Sequence, residues 1–209
     1  MDTIKKLEWR YATKKFDSDK KLPEEKLDIL KQAFNLTATS FGLQTLTLVV
    51  IDDVNTRKPL VKNAFDQNQV VDASHLLVIC IQDNIDDDDV NTYYKNIKDI
   101  RATPDEILEP YRQSLVDMMR KKSLAERLQW STNQAYIALG NLMTVCAFEN
   151  IDSCPMEGFI SEKFDQILNL QERGLKSVLL LPVGYRAKED IFSGFKKVRK
   201  PLEKAVIEM

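Results

Sequence analysis

The longest apolar run in this chain, Ala135-Tyr136-Ile137-Ala138-Leu139-Gly140-Asn141-Leu142-Met143-Thr144-Val145-Cys146-Ala147-Phe148, is apolar on nearly every face. A surface helix carries one apolar stripe, so a run apolar all round predicts a helix buried at the centre of the protein or of a dimer. It is too short to cross a bilayer, which takes about 20 such residues. The same helix extends back to Leu124. Asn150 and Asp152 end it, and Pro155 stops a restart. Gly158, in the turn Pro155-Met156-Glu157-Gly158-Phe159, lets the backbone come close to something flat. The plainer reading is a core helix followed by a loop.

Shorter apolar runs read as strands. Residues 46–51 are rich in β-branched side chains, 76–81 are apolar on both faces as in a central strand, and 177–185 form a third strand ending at Gly184. Helical spacing predicts helices over 4–9, with Ile4 and Leu7 inward and Asp2 or Thr3 as cap, and after Pro23, with a Leu27-Leu30-Ala33-Phe34 stripe. Further helices are expected over 55–64, with Pro59 near the first turn, and over 90–101, capped by the acidic stretch 83–89 and carrying Tyr93, Tyr94, Ile97 and Ile100. Others follow Pro104 to Lys122 and run from a Ser161 cap to Leu170. Residues 204–209 read as a short strand or an arm.

Composition narrows the class. The 209 residues are expected to form one domain, 1–209, with a net charge of -2 and scattered basic residues, which disfavours a nucleic-acid partner. The first residues lack the apolar core of a signal peptide, and no membrane segment is visible, so a cytoplasmic location is expected. Cys80, Cys146 and Cys154 read as reduced thiols in or near the core. His75 is the single histidine, so a metal site is not expected, and His75 itself reads as a hydrogen-bonded structural residue rather than a catalyst. Neither G-x-G-x-x-G nor G-x-x-x-x-G-K occurs, which argues against those nucleotide folds.

Two basic clusters lie at opposite ends of the chain, Arg10 with Lys14 and Lys197 with Arg199. The first sits in Arg10-Tyr11-Ala12-Thr13-Lys14-Lys15-Phe16-Asp17, either a solvated loop or an anion-binding arm. Between them lie the hydroxyl loop around Thr39 and Ser40, the amide patch Asp66-Gln67-Asn68-Gln69 and the Pro155–Phe159 turn. Brought together, they would form a pocket with an anion-binding floor and a flat, backbone-lined slot.

In this order the pieces resemble the bacterial nitroreductase family, in particular its oxygen-insensitive NAD(P)H nitroreductase and dihydropteridine reductase branch. The matching pieces are residues 10–17, Thr39-Ser40-Phe41-Gly42-Leu43-Gln44, Asp72-Ala73-Ser74-His75, Gln134-Ala135-Tyr136 with Gly140-Asn141, the turn 155–159, Leu181-Pro182-Val183-Gly184-Tyr185 and Lys197-Val198-Arg199-Lys200-Pro201. The resemblance implies an α+β, nitroreductase-like fold. A mostly antiparallel sheet would be wrapped by helices, the long central helix would lie at a homodimer interface, and a C-terminal arm would reach the partner.

The resemblance also implies FMN as cofactor and NADH or NADPH as co-substrate. Two electrons would pass as hydride through flavin N5 to a nitroaromatic, quinone or pterin-like small-molecule acceptor, in a ping-pong cycle with the chemistry on the cofactor. Arg10, Lys197 and Arg199 would hold the phosphate, and the backbone of Ala12, beside Tyr11, would assist. Lys14 would stabilise the charge that reduction places on the pyrimidine edge. Glu157 and Gly158 would lie near N5, and Pro155 and Met156 would back one ring face. Thr39 and Ser40 would come from the partner, and Asp66 and Gln69 stand where relatives carry Asn and Lys. Gln44-Thr45-Leu46 replaces a Gln-Pro-Trp common in the family. The rival reading is a non-catalytic flavin-binding or structural homodimer.

Overall fold

The computed structural model describes residues 3–209. Four strands form one sheet: β1 (Leu46–Ile51), β2 (His75–Gln82), β3 (Asp152–Ser153) and β4 (Leu175–Gly184), in the order β1-β2-β4-β3 with every pair antiparallel. Strand β2 is central because its sequence lets both faces be buried. Leu76, Val78 and Cys80 enter one core while Leu77, Ile79 and Ile81 enter the other. Each such aliphatic side chain contributes about 1.5–3 kcal/mol relative to exposure, so a two-faced strand outcompetes any edge position.

The first core is closed by the short helices α3 (Val54–Arg57), α4 (Leu60–Asn63) and α5 (Gln69–Asp72), with α9 (Ser161–Ile167). The helix expected over 55–64 is two, because Pro59 has no N–H with which to continue a helix, and α4 starts after it. Ser161 is not the cap of α9. Ile160 takes that place, and the Ser161 hydroxyl donates instead to the carbonyl of Ser177 at 2.5 Å. That helix also ends at Ile167, short of Leu170.

The second core lies under α2 (Glu24–Asn35) and the long α8 (Leu124–Phe148), which starts at a Ser123/Glu126 capping box. Ala135, Ala138, Leu139, Leu142 and Cys146 are buried against the sheet. The run is not buried all round within one protomer: Tyr136 is 45% and Ile137 50% exposed, and Gly140 faces open space. Its apolar outer face is therefore a second surface, uncovered by the described residues of the chain.

A third, smaller core joins α6 (Asp87–Arg101) and α7 (Asp105–Arg120) to Leu43 and Trp130. Asp86 and Asp89 cap α6 as the acidic stretch suggested, but Ile100 is exposed, because α6 packs on α7 with its Tyr93–Tyr94 side. At the ends, α1 (Thr3–Trp9) leaves Ile4 and Leu7 exposed rather than inward. Asp2, the other proposed cap, lies outside the described residues. Residues 202–209 are a single turn, α10 (Leu202–Ala205), and an exposed arm rather than a strand. No helix among the described residues is long and apolar enough to cross a membrane.

Candidate cofactor site

The segment 10–17 is neither a loose loop nor a helix. Thr13 N–H donates to the Ser153 carbonyl at 3.2 Å, Ala12 pairs with Ser153 in parallel, and Phe16 pairs with Arg186. The arm thus runs along the edge of the sheet beside β3. Thr13 and Phe16 are buried, while Lys14 on the opposite side is exposed. Lys15 is exposed as well, so the two cations face away from the buried Thr13 and Phe16.

Two carboxylates hold the arm in place, and sequence reasoning had assigned neither. Asp190, 3% exposed, accepts from the Tyr11 hydroxyl at 3.0 Å and from the backbone amides of Lys14 and Lys15 at 2.8 and 3.1 Å. Asp152 accepts from the Arg186 backbone at 2.8 Å and its Nε at 2.7 Å. The Arg186 guanidinium then lies 4.4 Å from the ring centre of Trp9 and 4.5 Å from that of Tyr11, a stacked strut across the base of the arm. The only advance signal was Asp190 standing one residue ahead of the helical turn Ile191–Gly194, a local capping position.

The arm delivers Arg10 to the C-terminal cluster. Burial, and then the charge of Arg199, pull the Arg10 guanidinium below its ordinary pKa. Burial, and then Arg10, Arg199 and Arg186, do the same to Lys197, with Glu8 only a weak counterweight. Among the described residues none of Arg10, Lys197 and Arg199 forms an ion pair with a carboxylate, and the buried Arg10 Nε has no acceptor. Like charges gathered without a counterion cost free energy, and an anion placed among them removes that cost. A buried, unpaired guanidinium N–H with two further cations fits a phosphate monoester.

Lys14 reaches the turn from the same arm, its Nζ 3.9 Å from Cys154 Sγ. Burial raises the Cys154 thiol pKa, and Lys14 and Arg10 partly offset that rise. Arg10, Lys14 and the segment leading into Pro155 therefore share one region. Met156 is locked to β4 by two backbone bonds with Leu180, at 2.9 and 3.0 Å. Pro155 is half-buried, and Glu157 projects outward. A Cβ on Gly158 would lie 3.3 Å from Gln67 Nε2, so that side-chain amide would have to shift slightly to admit one.

The amide patch divides. Gln69 is buried at the start of α5, while Asp66 is exposed in a left-handed turn with φ 58°. It is Gln67, unassigned in advance, that contacts the turn, its Nε2 donating to the Gly158 carbonyl at 3.0 Å. Thr39 and Ser40 are not brought to the Arg10 cluster within this protomer. Ser40 N–H donates to Gln134 Oε1 at 2.8 Å, and the buried Thr39 hydroxyl has no partner among the described residues. Thr45 is buried and pairs its hydroxyl with Ser131 at 2.6 Å. His75 is buried, with Nδ1 2.9 Å from the Ser74 hydroxyl, as expected of a structural residue, and burial lowers its pKa.

Fold and site together describe an α+β protein whose cationic site is assembled from its two chain ends. The nitroreductase family model matches residues 7–185. The oxygen-insensitive NAD(P)H nitroreductase of Salmonella typhimurium is 29% identical over 221 aligned residues, spanning 100% of both chains. Among solved structures, Bacillus subtilis ydfN superimposes with a TM-score of 0.87 at 21% identity, covering 99% of this chain and 98% of its own. An Exiguobacterium sibiricum protein solved in complex with FMN gives 0.82 at 18% identity, covering 100% and 98%. This chain belongs to the nitroreductase family and is an oxidoreductase.

Proposed function

We propose that this protein is a cytoplasmic, homodimeric, FMN-dependent NAD(P)H oxidoreductase, folded as one domain over 1–209, that reduces nitroaromatic, quinone or pterin-like acceptors by ping-pong two-electron transfer. The observation that carries this reading is the convergence of Arg10, Lys197 and Arg199 from opposite chain ends, none of them ion-paired with a carboxylate among the described residues. FMN would supply the redox chemistry, taking hydride from NAD(P)H at N5 and returning it to the acceptor.

The chain's residues bind and orient. Arg10, Lys197 and Arg199 hold the phosphate through charge-assisted hydrogen bonds, and the backbone of Tyr11 and Ala12 lies beside it. Lys14 holds a positive charge at the pyrimidine edge, where reduction accumulates negative charge. Pro155 and Met156 would back the ring, and the Glu157-Gly158 backbone would face N5. Asp66 and Gln69 border the ring. Thr39, whose buried hydroxyl lacks a partner in its own protomer, and Ser40 serve the site of a second copy seated on the outer face of α8.

The test is the visible spectrum of the purified, dialysed protein, recorded without oxygen before and after NADH and then NADPH. A flavin spectrum that bleaches supports cofactor and hydride entry together. One that persists with both donors overturns the catalytic reading in favour of a flavin-binding protein. A colourless protein that takes up no added FMN overturns the cofactor assignment.

A further inference from the structure

Beyond Met156 the turn leaves the sheet, and its next two residues are gripped from different sides. Gln67 Nε2 donates to the Gly158 carbonyl at 3.0 Å and to the Ala64 carbonyl at 3.0 Å. On the other side the Tyr136 hydroxyl, from α8, donates to Glu157 Oε1 at 2.8 Å. The two grips differ in kind. Gln67 holds backbone, whereas Tyr136 holds a charge.

Glu157 is exposed, and among the described residues no cation pairs with it. Its hydrogen-bond donor is therefore Tyr136. The bond to Glu157, more than burial, raises the Tyr136 pKa, so the phenol keeps its proton and stays a donor through neutral pH. Two positions earlier on the same helix, Gln134 holds the Ser40 amide on the buried side. One turn of α8 thus anchors two of the segments assigned to the cofactor.

We propose that Tyr136 is a positioning residue that holds the Glu157 carboxylate against α8 and disperses its negative charge beside the redox ring. The proposal rests on the reading of Glu157-Gly158 as the segment facing N5. An anion beside a group that gains electrons opposes the gain. A phenol O–H donated to that anion lowers its hold on the surroundings and fixes where it points. Lys14 on one side favours the reduced state, Glu157 on the other opposes it, and Tyr136 sets the strength of that opposition.

The experiment compares FMN-loaded wild type, Tyr136→Phe, Glu157→Gln and the double variant, each equilibrated anaerobically with a reference redox dye. Tyr136→Phe should shift the dye equilibrium about two- to fivefold toward oxidised flavin, the size set by an exposed unit charge a few ångströms away in water. Glu157→Gln should shift it the other way, and Tyr136→Phe should add nothing in the Glu157→Gln background. In Tyr136→Phe, FMN affinity, set chiefly at the Arg10, Lys197 and Arg199 cluster, should change less than about twofold. A purely structural Tyr136 would lower thermal stability in both backgrounds and leave the dye equilibrium unmoved, which overturns the proposal alone. A wild type that retains and takes up no FMN overturns the reading beneath it and the proposal together.

Discussion

Asp190 Oδ2 accepts the backbone N–H of Lys14 at 2.8 Å across 176 positions of chain. The same oxygen takes the Lys15 amide and the Tyr11 hydroxyl, so one carboxylate sets the position of an arm that carries two cations toward the site. Burial alone would raise its pKa. The amides of Lys15 and Lys14, the Tyr11 hydroxyl and the Phe192 amide outweigh burial and hold it below the ordinary value.

Replacing Asp190 with Asn should therefore cost about 1–3 kcal/mol, since buried donors lose a charged acceptor. The cost depends on pH with a definite sign. A carboxyl with a depressed folded pKa contributes fully above its unfolded value of about 3.9 and loses that contribution as pH falls through the folded pKa. The stability gap between wild type and Asp190→Asn should be flat from pH 7 to 5 and narrow below about 4. Denaturant titrations at several pH values measure it, and a gap unchanged down to pH 3 would count against this role.

Arg199→Ala should chiefly weaken retention of FMN. Losing one exposed, charge-assisted phosphate contact should raise the dissociation constant about tenfold. Riboflavin, which lacks the phosphate, supplies the control. Its weaker binding should be unaltered by the substitution, so the preference for FMN over riboflavin should shrink. Fluorescence titration with both flavins reads this directly, and equal loss of both would reassign Arg199 to the fold.

Much of this architecture is legible from local pattern. Strand β2 is legible because residues 76–81 are apolar on both faces, and α8 because its length and apolar run agree. What stayed hidden is long-range and polar. Nothing local to Asp190 indicates that it holds Lys14, and nothing in the amide patch distinguishes Gln67, which contacts Gly158, from Gln69 two positions on. Arg10, Lys197 and Arg199 were named through family resemblance, since composition could not show that the chain ends meet. The outer face of α8 leaves a related question open in the sequence. Apolarity marks a surface to be covered without saying whether the same chain covers it.

Lys14→Ala should separate reduction from binding. Its Nζ lies by Cys154 at the base of the turn rather than among the cations of the Arg10 cluster. Hydride transfer from NAD(P)H, followed by stopped-flow absorbance, should slow about 100- to 1000-fold, as when one preorganised electrostatic contact to developing charge is removed. FMN affinity should fall far less. Equal loss of both would sink the role assigned to Lys14.

Arg57 offers a stability test away from the site. It is fully buried and makes no ion pair among the described residues. Its guanidinium donates to the carbonyls of Ala73 at 2.7 Å, Asp52 at 3.0 Å, Val70 at 3.3 Å and Ser74 at 3.4 Å. These carbonyls end β1 and α5 and lead into β2, where backbone bonds cannot reach, so one planar fork satisfies acceptors from three elements. Burial pulls its pKa down, and the charges of Asp52, Asp53 and Asp72 partly restore it. Arg57→Ala would leave a cavity lined with unpaired carbonyls and should cost about 3–5 kcal/mol. Arg57→Lys keeps the charge but loses the fork, and should recover less than half of that. Urea unfolding of the three proteins measures it. Full rescue by lysine would show that charge rather than geometry holds this corner, and that the approach to Gln69 tolerates a looser anchor.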